Sequence, residues 1–509
     1  MIDLSRWIDK HASFQAAKPA LIFEGRPITY RELSTRVRQT ARMLKNELDI
    51  EPGDRVAYLG KNSPELLILF FACTRIGAIF LPLNWRLATP ELVLILRDAG
   101  ARALVAEVDF RAAAEAIHSN LPGCRLLASR FESSRPNSPW LSLEALLEGA
   151  EGEDRNDAVS TDDPALLVYS ATPEGRPKGV VVSQQALFYN TLNTLHMHDM
   201  HGSDVVLTVL PLFHIGGLCI QTLPALYVGA TVVLHSQFDA AEVLACIRAE
   251  RPTLLVLVAT AMRAMTRQED WSRTDISCLR MVTVGASPVP RRLIDAFHAR
   301  KVPVAQVYGM SEIGPVSVYQ RAEDALLTVG SVGRPGMYNE VRIAGPQDEA
   351  LPAGGIGDIL VKGPNVMSGY WNDEEATRKV FRDGWFVTGD IGYFDGNGSL
   401  WLTDRREEAV VSGGETLYPA ELERLLEGMP EVEAAAVVGV ADEYWGEVPV
   451  AILVPRPGAQ LGTDEVKAYL NGRIGRYKHP RRILLVGQLP TDSNGNVDRA
   501  ALRRMARAA

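Results

Sequence analysis

Val205-Val-Leu-Thr-Val-Leu210-Pro-Leu-Phe-His214-Ile-Gly-Gly217 is a short apolar, β-branched run that stops at a proline and opens into a glycine-bearing turn. A run apolar on consecutive residues suits a strand buried on both faces, not one with a solvent side. Similar runs recur at Arg55–Leu59, Ala103–Ala106, Thr231–Leu234 and Leu254–Val258, alternating with helical patterns. Ser183–Leu195 reads as one such helix, following a strand and a glycine-containing turn. This alternation predicts an α/β fold, parallel sheets covered by helices.

Past Gly384 the pattern changes. Leu400–Thr403 reads as a short strand, and Asp404-Arg405-Arg406-Glu407-Glu408 as a charged break. An α+β unit follows: helix Pro419–Leu426, strands Val432–Val440 and Val448–Val454, helix Thr463–Arg473. A chain of 509 residues exceeds one ordinary core. The expected division is a large N-terminal domain over 1–403, a hinge at 404–408 and a small C-terminal domain over 409–509. The acidic, polar stretch around Gly149–Asp163 reads as a surface connection.

A composition of 47% hydrophobic and 23% charged residues is that of a soluble globular protein. The net charge of −9 argues against a general nucleic-acid binder. Five cysteines without CxxC spacing argue against a metal centre or a disulfide framework and fit a reducing, cytoplasmic setting. The N-terminus lacks the basic segment and apolar run of a signal peptide. The strongest apolar stretch, Leu66–Phe80, is interrupted by Arg75 and too short to span a bilayer.

Tyr308-Gly309-Met310-Ser311-Glu312 combines an aromatic face, a backbone glycine, a hydroxyl and a carboxylate, a set suited to a purine, a phosphate and its metal. Alone it reads equally as a turn after a strand. Gly384-Trp-Phe-Val-Thr-Gly-Asp390 ends in an acid able to accept both hydroxyls of a ribose, although a solvated turn acid explains it as well.

Order and conjunction decide. The chain carries RPKGVVVSQ (Arg176–Gln184), LPLFHIGG (Leu210–Gly217), VGASP (Val284–Pro288), YGMSE, GSVGRPG (Gly330–Gly336), GWFVTGD, SGGETLYPAELE (Ser412–Glu423) and LPTDSNGNVDR (Leu489–Arg499). Over essentially its whole length it resembles the adenylate-forming superfamily of acyl- and aryl-CoA synthetases, adenylation domains and luciferases. The resemblance implies a large N-terminal domain and a small mobile C-terminal one. Tyr308 resembles the residue flanking adenine, with Gly285, Ala286 and Ser287 as the opposing wall. Asp390 resembles the ribose ligand, with Arg405 near the same ribose. Ser311 and Glu312 resemble the phosphate and magnesium contacts, and His214 the residue at the mouth of the acyl pocket. Glu407 falls at the hinge. Gly413 and Gly414 resemble the strand lining the pantetheine tunnel of coenzyme A, where a Cβ would obstruct the ligand. Arg86, Lys478 and Trp445 match the set that meets the CoA nucleotide, with an ordinary solvated surface as the alternative for each.

Two departures fall on one half-reaction. Most relatives wrap the ATP phosphates in a loop of the form TSGTTGxPKG. Here the run is Ser170-Ala171-Thr172-Pro173-Glu174-Gly175-Arg176-Pro177-Lys178-Gly179. Ala171 and Pro173 lack hydroxyls, Pro173 also lacks an N–H, Thr172 replaces a glycine, and Glu174 sets a negative charge beside polyphosphate. The adenylation lysine of the family aligns with Asn496. Losing one preorganised group of this kind costs roughly 10²–10³ in rate. Nothing identified for thioester formation is lost. The expected activity is therefore conversion of acyl-AMP and coenzyme A to acyl-CoA and AMP, with a separate adenylating enzyme as donor. A bulky acid such as a diterpenoid carboxylate is expected, Gly216 and Gly217 leaving room behind His214. A complete ATP- and magnesium-dependent CoA synthetase, an acyltransferase to a carrier protein and a catalytically silent acyl-AMP-binding paralogue remain open, and a homodimer is compatible with the chain.

Overall fold

A computed structural model describes residues 3–129, 139–149, 151–170, 176–286, 289–405, 409–490 and 497–508. Each apolar run is a strand: Arg55–Leu59, Ala103–Glu107, Val205–Thr208, Thr231–Leu234 and Leu254–Leu257. They belong to two large sheets. In one, the adjacent strands Val304–Met310, Met281–Val284, Leu254–Leu257, Val205–Thr208, Thr231–Leu234 and Pro19–Phe23 all run parallel. The other has eight strands and is mostly parallel, with Lys178–Ser183 and Gly369–Tyr370 added antiparallel at one edge. Helices sandwiched between the sheets supply a shared core. Among them, Pro64–Ile76 is buried at every residue but Glu65. The Leu66–Phe80 stretch is thus an interior helix running into the buried strand Ile79–Pro82. Arg75 is tolerated there because Asp9 and Asp154 meet its guanidinium at 2.7 and 3.0 Å. No helix among the described residues is long and apolar enough to cross a membrane.

A third, antiparallel sheet spans Glu340–Ala344, Gly357–Lys362, Phe381–Arg382, Trp385–Phe394 and Leu400–Arg405. The last strand pairs as far as Arg405, opposite Asp390, so the charged break begins inside a strand and not after it. Glu407 lies outside the described residues. From Val410 onward the chain forms a separate sheet: Glu415–Leu417, Val410–Ser412, Gly446–Pro455, Val432–Asp442 and, parallel to Gly446–Pro455, Arg482–Leu485. Period-two alternation along Val432–Asp442 sends Ala435 and Val437 to one core, with Leu422, Leu426 and Val466. Ala436 and Val438 face the other, closed by Leu502 and Ala506 of the helix Arg499–Ala508.

Candidate functional site

Parallel strands end together, so loops that follow them meet along one carboxyl edge, where open α/β sheets place ligands. Here that edge carries, strand by strand, Tyr308–Glu312, Gly285–Ala286, Val258 and the Leu210–His214 segment. Two strand spacings, about 10 Å, separate the Gly285 end from the His214 end.

At the first end Tyr308 and Asp390 are both buried, and the Tyr308 hydroxyl donates to Asp390 Oδ2 at 2.9 Å. Asp390 lies within the strand Trp385–Phe394, one residue after Gly389 (φ 78°), and its N–H donates to Thr388 Oγ1. A Cβ at Gly285 would come within 2.9 Å of the Val307 carbonyl, and one at Gly309 would run into the backbone of Gly314 and Pro315. Both glycines therefore let neighbouring backbone close up. Ala286 has φ 67°, an uncommon left-handed conformation for alanine. Glycine-lined backbone, an aromatic ring and an acid thus meet as the sequence suggests. Ser287 lies outside the described residues, as does the side chain of Arg405.

Met310 and Ser311 lead into the turn Ser311–Ile313, which buries Glu312. Its Oε1 accepts from Ser170 Oγ at 3.3 Å and Tyr370 Oη at 3.2 Å. Burial raises its pKa above the usual carboxylate range, opposed by these hydrogen bonds and by the Lys178 charge. Ser170 and Lys178 are cross-strand partners, so the degenerate loop springs from the two strand ends nearest Glu312. The four loop positions Ala171, Thr172, Pro173 and Glu174 lie outside the described residues, as does Asn496.

At the second end a hairpin of the C-terminal sheet docks. Its turn glycines Gly413 and Gly414 have φ of 63° and 87°. A Cβ at 414 would sit 3.2 Å from Val258, and one at 413 would touch the Trp445 ring at 2.9 Å. The next residue, Glu415, carries no mark in the sequence that singles it out. It is 6% exposed and accepts from Arg86 Nη1 at 2.5 Å, with His214 Nε2 2.9 Å from both its oxygens. Burial alone would raise its pKa, but His214 and Arg86 outweigh that and bring it to about 2. Each partner comes from the N-terminal part of the chain, so one carboxylate ties the hairpin to the mouth of the candidate acyl pocket. The one signal that could have found it is the SGGE spacing, which places an acid directly after the two tunnel glycines.

Two cations sit differently from the expectation of an open rim. Lys478 is 5% exposed, with Nζ 2.9 Å from Glu91 Oε1 and 2.7 Å from Glu421 Oε1. Arg86 is spent on Glu415. Gly217 also departs from expectation: the space of its missing Cβ is taken by the Pro211 carbonyl, so it shapes the turn and adds no room. A Cβ at Gly216 would stand 3.6 Å from Ile220, leaving only this position open. A cavity of about 570 Å³ lined by Ser183, Tyr338, Lys362 and Phe381 touches none of these residues.

The AMP-binding enzyme family model matches residues 8–371, and the AMP-binding enzyme C-terminal domain model residues 421–496. The indoleacetate–CoA ligase of Aromatoleum aromaticum is 43% identical over 505 residues, covering 99% of this chain and 98% of its own. The amide bond synthetase McbA of Marinactinospora thermotolerans superposes with a TM-score of 0.90 at 28% identity, over 99% of each chain. The o-succinylbenzoate CoA synthetase of Bacillus subtilis, as a double mutant bound to the product analogue OSB-NCoA, superposes at 0.85 and 28% identity over 98% of each chain. In complex with the acyl-adenylate intermediate OSB-AMP it superposes at 0.70 and 29%, over 98% of this chain and 97% of that one. Matched over most of its length, the chain belongs to the AMP-binding enzyme family, within the adenylate-forming superfamily that includes the acyl-CoA synthetases.

Proposed function

We propose that this protein joins an acyl-adenylate to coenzyme A, releasing AMP, and takes its acyl-adenylate from a separate adenylating enzyme. The thiol sulfur attacks the carbonyl carbon of the mixed anhydride. The thiol proton is lost, the bond from carbonyl carbon to phosphate oxygen breaks, and AMP departs with the electron pair. The observation that carries this reading is the docked Gly413–Glu415 hairpin, held against the N-terminal part of the chain by Arg86 and His214. The better superposition on the product-analogue complex than on the acyl-adenylate complex of the same Bacillus enzyme supports it. On this reading Gly285, Ala286, Ser287 and Tyr308–Ser311 hold AMP, and Asp390 and Arg405 take the ribose. Asp390 keeps acceptor capacity beyond the Tyr308 bond. Glu312 faces the phosphate, Gly413 and Gly414 line the tunnel, and Glu407 is the hinge. Loss of donors at Ala171–Glu174 and of the lysine at Asn496 removes the means to grip triphosphate and activate a carboxylate. The acyl group is a bulky, ring-bearing carboxylate, from an aryl acid to a diterpenoid acid. Its support is the open space at Gly216 and the aryl acids named for two relatives. Five free cysteines support a cytoplasmic setting.

A second reading, a complete ATP-dependent acyl-CoA synthetase, is favoured by the full-length likeness to indoleacetate–CoA ligase. Lys178 beside Glu312 would then assist the phosphates, and Glu312 would hold magnesium. Two assays separate them across a set of aryl and polycyclic acids: pyrophosphate release from acid, ATP and CoA, and thioester formation from synthetic acyl-AMP and CoA. Robust acid-dependent ATP consumption by pure enzyme overturns the first reading.

A further inference from the structure

Both cations that the sequence offers to coenzyme A are already engaged, Arg86 by Glu415 and Lys478 by Glu91 and Glu421. A different set converges on the turn carrying Trp445. Arg263, on the helix Ala259–Thr266, is 4% exposed and donates through Nη1 to the Tyr444 carbonyl, while its Nε is buried without a partner. The Arg263 and Arg267 guanidinium carbons lie 6.0 and 5.9 Å from the centre of the Tyr444 ring. Arg481 lies 4.9 Å over the Trp445 ring. Arg292 adds a fourth cation, paired with Glu443 at 3.2 Å. Of the acids at this turn, Asp442 accepts from the Tyr444 and Trp445 backbone N–H groups and Glu443 is taken by Arg292. Among the described residues neither Arg267 nor Arg481 has a carboxylate partner.

Like charges gathered around a buried guanidinium are unfavourable without an anion among them. Burial disfavours the Arg263 charge, and Arg292 and Arg267 add to that. The position fits one anion in particular. Val258, which packs under Gly414, is the N-cap of the Ala259–Thr266 helix. Arg263 follows it by about 8 Å and Arg267 by about 14 Å at the α-helical rise, directed away from the hairpin. A thin arm leaving the hairpin along this helix would deliver its far end to the arginines.

We propose that Arg263, Arg267 and Arg481, framed by the Tyr444 and Trp445 rings, bind the phosphorylated nucleotide end of coenzyme A. This rests on the thioester-forming reading above. Guanidinium forks match phosphate oxygens in pairs, and an aromatic face accepts a base by stacking. Lys478 has a structural task instead.

The test uses full-length enzyme with coenzyme A, dephospho-coenzyme A and pantetheine as acceptors, together with direct equilibrium binding of coenzyme A. Arg267 and Arg481 are exposed, so Arg267→Ala/Arg481→Ala should fold. Its affinity for coenzyme A should fall at least tenfold, since each charge-assisted hydrogen bond removed is worth about a factor of ten. The salt dependence of binding should flatten, and turnover with pantetheine should stay within twofold of the parent. Coenzyme A affinity within twofold of the parent, or an equal loss with pantetheine, overturns the site. Failure of the parent to form thioester from acyl-AMP would sink the functional reading instead, and the binding measurement would still judge the arginines.

Discussion

Lys478→Met should strip the enzyme of its docked hairpin while sparing its grip on acyl-AMP. The Lys478 ammonium is nearly inaccessible and holds two carboxylates, Glu91 from the N-terminal part of the chain and Glu421 from the helix Pro419–Glu427. Removing one partner of a buried pair typically costs about 3–5 kcal/mol because a charge is left uncompensated. Here two carboxylates would face each other, so the docked arrangement should lose at least about 10²-fold in population. Glu91→Gln is gentler. It deletes one charge-assisted bond of about 1.5–3 kcal/mol and leaves Lys478 with Glu421, for about a ten- to hundredfold loss.

The assay is single-turnover thioester formation from bound acyl-AMP at saturating coenzyme A, beside a separate measurement of acyl-AMP affinity. Both substitutions should slow the single turnover, and acyl-AMP should bind as before, because Tyr308 and Asp390 are untouched. The double mutant should be no worse than Lys478→Met alone, since both act through one contact. If Lys478 were a ligand for CoA phosphate, Lys478→Met would raise KM for coenzyme A with the saturated rate intact. Glu91→Gln would then free the lysine and lower KM. Either result would refute the argument.

Four other outcomes follow from the site. Gly414→Ala should reduce thioester formation at least tenfold with little change in acyl-AMP affinity, since it combines a left-handed backbone with a methyl 3.2 Å from Val258; single-turnover and binding measurements check both halves. Glu415 has a folded pKa of about 2, below its unfolded value, so its contribution is complete above about pH 4.3 and is lost only as pH falls through about 2. Glu415→Gln should therefore lower the rate without moving any acid limb of the pH–rate profile between pH 5 and 8. Glu312 shows the opposite sign: its folded pKa is raised, so stability is lost as pH rises through that value. Glu312→Gln should melt higher than the parent near pH 8, with a gap that narrows toward pH 5, and should turn over acyl-AMP more slowly. Asn496→Lys alone should not establish full ATP-dependent turnover, because the Ala171–Glu174 run still lacks phosphate donors; pyrophosphate release measures this.

What can be read from the chain are features that periodicity or local spacing encodes. The apolar runs at 55, 103, 205, 231 and 254 are all parallel strands, because burial on two faces leaves its mark on every residue. Tyr308 and Asp390 meet as expected, each fixed by a short motif. What cannot be read depends on partners distant in sequence. Arg86 reads as a free cation because nothing around it in the chain reveals a carboxylate 329 residues away. Lys478 hides its two acids in the same manner. Gly217 signals open space, yet a glycine states only that no Cβ is tolerated, and here a carbonyl from its own turn fills the place. The arginines around Trp445 come from three separate elements, and no single stretch displays them together.

The cross-domain carboxylates also bear on why the ATP side could decay. Glu415, Glu91 and Glu421 hold the hairpin against the sheet edge through bonds between the protein's own side chains, so the tunnel wall is formed in advance and coenzyme A need not order it. An enzyme that must also adenylate gains less from such bonds. Every kcal/mol favouring the docked arrangement is taken from the population that activates the acid, and the apparent affinity of that other state for ATP falls by the same factor. Once acyl-AMP arrives ready-made, that opposition disappears, and the C-terminal part can settle where coenzyme A needs it. Substitutions such as Ala171, Pro173, Glu174 and Asn496 then meet no resistance. Weakening the clamp at Glu91 while rebuilding both the loop and the lysine should restore more ATP-dependent turnover than rebuilding them in the clamped parent. Equal recovery in the two backgrounds would show that the docked arrangement places no tax on adenylation.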